Sequence, residues 1–223
     1  SRMSTTWGNT LLAPDTQRTD AAREAARADL CRFIAACYYE PDAAFVEERL
    51  FDSMRQAAAC VDPALETIAA RLGPAFAALP LQELLVDYTR LFLGPVAALA
   101  RPYASVWLTG ENLVMQDDTL GVLRLYEEAG FGIDDEFHEL PDHVAVELEF
   151  LYLLSFRENE ARAAADTNEL ARIGSLRRRF LDEHLGRWLG PFLLAAHDGA
   201  RSDFYETLAE LTEAFVRLEA TRS

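Results

Sequence analysis

The chain has 223 residues, half of them hydrophobic, and a formal net charge of −16. A chain this long buries roughly 70% of its unfolded surface when it folds, so it needs no disulfides or metal to build a core. Every basic residue is Arg, and an excess of acid this large excludes nucleic acid and anionic membrane surfaces as partners while favouring a cationic one.

Ser1-Arg2 ahead of Met3 reads as a tag scar, and residues 1–19 as a flexible N-terminal segment. They lack the basic start and apolar run of a signal peptide. No apolar run reaches the roughly 18 residues a membrane helix needs, so a cytoplasmic protein is expected. Cys31, Cys37 and Cys60 are odd in number, lie in Ala-rich helical sequence and read as buried thiols in a reducing compartment.

Helical periodicity opens at Asp20 and runs to Tyr39, with Leu30, Phe33, Ile34, Cys37 and Tyr38 on one side. A second helix starts after Asp42 and carries Phe45, Val46, Leu50 and Met54 on one face. Asp62-Pro63 is an N-cap followed by proline at the first helical position, opening a third helix that ends near Gly73-Pro74. Leu81 to Phe92 forms a fourth, closed by Gly94-Pro95. The stretch 94–116 then carries Pro95, Pro102 and Gly110 around a strand-like run, Tyr103 to Leu108. It reads as a long ordered loop, and such loops are usually functional.

Helix resumes after Asp117-Asp118 and stops at Gly130, a favourable C′ glycine. An acidic connection follows, with a hinge near 134–142. A long helix, apolar on nearly every side, runs from about Pro141 to Ala164. Another spans Asn168 to Leu185, Gly190-Pro191 breaks the chain, and Ser202 or Asp203 caps a last amphipathic helix bearing Phe204, Leu208, Leu211, Phe215 and Leu218. The fold class is all-α: one globular domain over 20–223, eight to ten helices around one core.

The start of the long apolar helix is where pattern and burial conflict. Asp142, His143, Glu147 and Glu149 sit in its first turns, where burial costs stability unless each group is paired, hydrogen-bonded or aimed at a ligand. Several structural roles fit. Asp142 can satisfy first-turn amides. His143 can bond a carbonyl. Glu147 and Glu149 can pair with an arginine such as one of Arg177–Arg179, which otherwise form a solvated face. Tyr103 and Trp107 can be core aromatics, and Asp87 with Arg90 is spaced for a local i,i+3 pair. His143 and Glu147 are spaced for two metal ligands, which keeps a metal-dependent helical enzyme in view. No nucleophile elbow, Walker motif or glycine-rich dinucleotide loop is present.

Two motifs carry a resemblance. The first is Glu83-Leu-Leu-Val-Asp87-Tyr88-Thr-Arg90-Leu91-Phe92-Leu-Gly94-Pro95, followed by Pro102-Tyr103-Ala-Ser105-Val106-Trp107-Leu108. The second is Glu139-Leu-Pro141-Asp142-His143 running into Val-Glu147-Leu-Glu149-Phe150. Their order and spacing resemble the TorD/DmsD/NarJ family of cytoplasmic maturation chaperones for molybdenum-containing redox enzymes, over about Ala22 to Val216. The resemblance implies that family's helical fold and no catalysis. It implies binding of the twin-arginine leader of a molybdoenzyme precursor, delaying export until cofactor is inserted. It places peptide contacts on Leu91, Phe92, Gly94, Pro95, Tyr103, Val106, Trp107, Asp142 and His143; some relatives carry Trp where this chain has Tyr103. An acidic rim of Glu139, Glu147 and Glu149 would hold the arginines through charge-assisted bonds, and the apolar loop would hold the rest of the leader. No cofactor or metal of its own is implied, and a monomer is expected. A client of the NarJ type, not exported and without an intact twin-arginine motif, is the alternative.

Overall fold

A computed structural model describes residues 15–94, 97–109, 117–132 and 139–222. Its α-helices are α1 (Asp15–Ala36), α2 (Ala44–Glu47), α3 (Leu50–Val61), α4 (Pro63–Ala77), α5 (Leu81–Tyr88), α6 (Ala104–Thr109), α7 (Asp117–Glu128), α8 (Val144–Ala163), α9 (Thr167–Arg179), α10 (Gly186–Gly199) and α11 (Asp203–Ala220). Two π turns, Thr89–Leu93 and Phe180–Leu185, continue α5 and join α9 to α10. The all-α class holds, and no strand occurs among the described residues. Most of the 134–142 hinge and the end of the 94–116 loop lie outside them.

α1 packs against α8 on one side and α3 on the other; α11 packs on α4 and α10. Leu30, Ile34, Tyr38, Leu148, Leu151, Phe180, Trp188 and Phe192 meet in one continuous core. α8 is buried on most sides, as its composition requires. Cys31 and Cys37 are buried, whereas Cys60 is exposed.

Local chemistry sets several ends. The Asp62 carboxylate accepts from the Ala64 N–H at 2.7 Å with Pro63 behind it. Ser202 caps α11 by accepting from the Tyr205 N–H, and Asp42, one residue ahead of the N-cap of α2, accepts from the Ala44 N–H at 2.9 Å.

Elsewhere the structure corrects the sequence reading. α1 begins already at Asp15. The second helix is broken by Arg49, which takes a left-handed φ of 57°. Pro74 and Pro191 lie inside helices rather than ending them. An interior proline costs about 3 kcal/mol. Around Pro191, Trp188, Leu189, Phe192 and Leu193 are all buried. At about 1.5–3 kcal/mol each, those four side chains outweigh the lost donor.

The supposed strand at Tyr103–Leu108 is also different. Tyr103 alone makes an isolated antiparallel bridge, to His143, and Ala104 onward is the helix α6. Gly94 closes the first π turn at φ 53°, where an added Cβ would lie 2.4 Å from the Ala98 nitrogen. Only glycine fits that return of the chain.

Candidate functional site

The second motif and the loop carrying Tyr103 meet at the N-terminus of α8. The Val144 N–H donates to the Pro102 carbonyl at 2.8 Å, and the Ala104 N–H to the Asp142 carbonyl at 3.0 Å. Asp142 is fully buried and does not cap its own helix. Its Oδ2 accepts from the Ser105 N–H at 3.0 Å, so it caps α6 across the junction, while its Oδ1 is buried with no partner. The cap of α8 is His143, whose Nδ1 accepts from the Ala145 N–H at 3.1 Å. That bond leaves the ring proton on Nε2. Burial pulls the His143 pKa down to about 4, so the ring is neutral near pH 7.

His143 is flanked by two tyrosines. The Tyr39 ring stacks on it at 5.8 Å and Tyr103 meets it edge-on at 5.3 Å. Each tyrosine hydroxyl donates to a half-buried carboxylate: Tyr103 to Glu139 at 3.0 Å and Tyr39 to Glu149 at 3.2 Å. Glu139 also accepts from the Leu140 N–H. Burial and these carboxylates raise both phenols well above their ordinary pKa, so they stay protonated donors. Burial raises the Glu149 pKa as well.

Glu139 and Glu149 therefore form a rim, and among the described residues no guanidinium is a hydrogen-bond or salt-bridge partner of either. Glu147 does not belong to it. It has no exposed surface; its Oε1 lies 2.6 Å from His184 Nε2, and its Oε2 accepts from the Trp188 indole N–H at 3.0 Å. The reason is helical spacing. One turn after His143, Glu147 points into the core, and Glu149 points out to Tyr39. Arg177 is used elsewhere, on buried Glu158.

The remaining predicted contacts divide. Tyr103, Val106 and Trp107 are half-buried. The Trp107 indole N–H donates to the Arg101 carbonyl at 2.7 Å, and its ring packs on Phe192. Leu91 and Phe92 are core residues, Phe92 against Tyr38, Tyr88 and Tyr205, and offer no surface to a peptide. The π turn aims them inward and leaves Leu93 half-exposed. Pro95 lies outside the described residues.

A cleft of about 280 Å³ opens at Gly94, lined by Leu85, Val86, Thr89, Arg90, Gly94 and Ala97; Tyr103 and Trp107 do not line it. Val86, Leu93 and Leu99 are exposed apolar side chains on these same segments. Asp87 and Arg90 pair at 2.7 Å as their spacing predicts, and Asp87 also accepts from the Arg201 and Ser202 N–H groups.

His143 and Glu147 do not converge on a metal, because each spends its acceptors on other partners. No group of three metal-ligating side chains occurs among the described residues.

Sequence reasoning missed Tyr39, His184 and Trp188. Tyr39 reaches the site from the other end of the chain, and the other two from a π turn and the helix after it.

The family described as nitrate reductase delta subunit matches residues 58–193, well over half of the chain. This chain belongs to the TorD/NarJ family. The TorD chaperone of Escherichia coli O81 is 33% identical over 137 residues, 61% of this chain and 62% of that protein. The TorD chaperones of Shewanella loihica and Vibrio atlanticus are 30% and 28% identical over 62% and 61% of this chain and 62% of each of those proteins. The chain thus spans a little under two thirds of the length of these curated TorD relatives. A solved structure from Archaeoglobus fulgidus, assigned as a redox enzyme maturation protein, aligns over 86% of this chain and 93% of its own with a TM-score of 0.50. At 21% identity that likeness speaks for the TorD-like fold alone. No described helix is long and apolar enough to cross a membrane.

Proposed function

We propose that this chain is a chaperone without catalytic activity, one that binds the cationic leader of a molybdopterin-dependent oxidoreductase precursor and holds the precursor back from export until cofactor is inserted. Family membership supports the chaperone reading. The observation that carries the leader is the rim: Glu139 and Glu149 are half-buried carboxylates held, among the described residues, by tyrosine hydroxyls and a backbone N–H. A guanidinium from outside can take their free lone pairs without displacing one of the chain's own. The apolar part of the leader would lie along the exposed Val86, Leu93 and Leu99 and the half-buried Val106 and Trp107. The protein acts as a monomer in the cytoplasm on this reading.

Exposed ion pairs are worth only about 0–1 kcal/mol each. The apolar stretch should therefore supply most of the affinity, and the arginines specificity and salt dependence. Calorimetry with a peptide of two adjacent arginines followed by an apolar helical stretch, and with its Arg→Ala variants, tests this. Equal binding of all of them at low and high salt would overturn the rim's role.

The family's description as a nitrate reductase subunit favours a second reading, in which the client is not exported and lacks the paired arginines. Capture of such a precursor from the source organism, with no affinity for the Arg-Arg peptide, would establish it.

A further inference from the structure

The rim reaches further than Glu139 and Glu149. Tyr88, the last residue of α5, is 7% exposed, and its ring is held by Phe92 at 5.4 Å and Tyr205 at 6.3 Å. The hydroxyls of Tyr39 and Tyr103 are spent on carboxylates. That of Tyr88 is spent on nothing: among the described residues it has no hydrogen bond, yet it is not sealed from solvent. Behind it the Tyr205 hydroxyl is buried without a partner. A phenol set this deep, with its polar atom left open, is placed to meet a group from outside.

Two carboxylates act on Tyr88. Burial first, then the charges of Glu139 and Glu40, push its pKa up to about 12, so it stays neutral. Glu139 also reaches Tyr39 and Tyr103, where burial is again the larger influence. Glu40 reaches Tyr205 in addition, likewise after burial. Glu149 is bonded to Tyr39. These contacts link into one series: Glu149, Tyr39, Glu139, Tyr88, Glu40. Glu40 is exposed, and among the described residues no hydrogen bond or ion pair holds it.

We infer that Tyr88 and Glu40 build, with Glu139, a second guanidinium subsite beside the one at Glu149, so that the rim holds two adjacent arginines at once. This rests on the leader-binding reading above and names the residues that meet each arginine. The chemistry of the series fits the group. A guanidinium lays its plane against an aromatic ring and directs N–H donors from its edge. The Tyr88 oxygen can accept one of those donors, and Glu139 and Glu40 supply the carboxylates for charge-assisted bonds. A lysine ammonium would match the charge but not the planar fork.

The test is calorimetry on the intact chain at low salt. It uses the Arg-Arg peptide and two peptides in which one or the other arginine is replaced by glutamine. Glu40→Gln and Tyr88→Phe should each weaken the Arg-Arg peptide about 2- to 5-fold, the range of one partly exposed ion pair or hydrogen bond. Both variants should lose that effect on the same single-arginine peptide, and Glu149→Gln should lose its effect on the other. Glu160→Gln removes an exposed carboxylate about three turns along α8 from Glu149 and should change nothing. Because the Tyr88 hydroxyl bonds nothing in the free chain, Tyr88→Phe should leave the thermal midpoint unmoved, which separates lost binding from lost folding.

Arg-Arg binding that Glu40→Gln and Tyr88→Phe leave unchanged overturns the second subsite and leaves the leader-binding reading standing. Equal losses on both single-arginine peptides overturn it too, since the carboxylates then act only as a common field. Absence of binding by every peptide overturns both readings.

Discussion

Two of the regions that bury carboxylates in this molecule neutralise them in opposite ways. Where α1, α8, α9 and α11 meet, Glu219 is held by Arg27 at 2.6 Å and Arg222 at 2.9 Å, Glu158 by Arg177, and Glu24 by Arg27 and Arg222. Three acids face three guanidiniums, and the region is electrically closed. At the N-terminus of α8, Glu139, Asp142, Glu147 and Glu149 are held by tyrosine and indole donors, backbone N–H groups and one imidazole. The first arrangement fastens helices together. The second leaves its rim carboxylates, Glu139 and Glu149, with no guanidinium partner among the described residues.

The sharpest way to test the contrast is to cut each cluster. Glu219→Ala takes away the nearer carboxylate of buried Arg27, leaving it Glu24 at 3.4 Å, and should cost up to about 3–5 kcal/mol in chemical denaturation. Its effect on affinity for an Arg-Arg peptide should be negligible in the protein that still folds.

Acidification probes the second cluster. His143 is neutral when folded, with a pKa near 4, and has an ordinary value of 6.5 when unfolded. The unfolded chain thus binds more protons between those values. The stability His143 contributes is complete above about pH 6.5 and is lost as pH falls toward 4, on the order of 3 kcal/mol. Glu147, whose pKa burial raises, gives the opposite slope. The readout is therefore the difference between the unaltered chain and His143→Asn, which keeps a capping acceptor and should flatten the curve over that range.

Asp142→Ala removes the cap of α6 and should cost about 0.5–2 kcal/mol. The same change should weaken peptide binding by more than that loss accounts for, because α6 carries Val106 and Trp107; equal losses would make Asp142 a packing residue only. The smallest effect expected is on the rim. Glu139→Gln and Glu149→Gln should each change stability by no more than about 0.5 kcal/mol. Both should still lower affinity for the arginine peptide at low salt, an effect that disappears at high salt.

Much of the fold could be read from the chain because its signals are local. Asp62-Pro63, Ser202 and Gly130 act on backbone within a turn of themselves, and the periodicity around Leu30 and Ile34 reports one face of one helix. What could not be read depends on distant partners. That Asp142 caps α6 needs a loop from 37 residues upstream. That Glu147 is a core group needs His184 and Trp188, and that Glu149 is a rim group needs Tyr39. The sequence placed these acids in a conflict between charge and burial; only the packing shows which of them is resolved inside the chain. Pro191 misled for a related reason: a breaker is judged locally, and its neighbours' burial is not a local property.

The π turn at Phe180–Leu185 has an evolutionary corollary. Such a turn is an insertion of one residue absorbed into a helix without lengthening it. Each residue of an α-helix advances about 100° around the axis. A single residue can therefore be lost here as the turn closes to α-helical pairing, whereas deleting Arg187, inside α10, would swing Trp188 and Phe192 about that far out of the core and take the indole away from Glu147. Gly186, where a Cβ would fall 2.5 Å from the Leu181 carbonyl, holds that register in place. Related chains that keep this interior should therefore vary in length by one residue at this turn more readily than within α10.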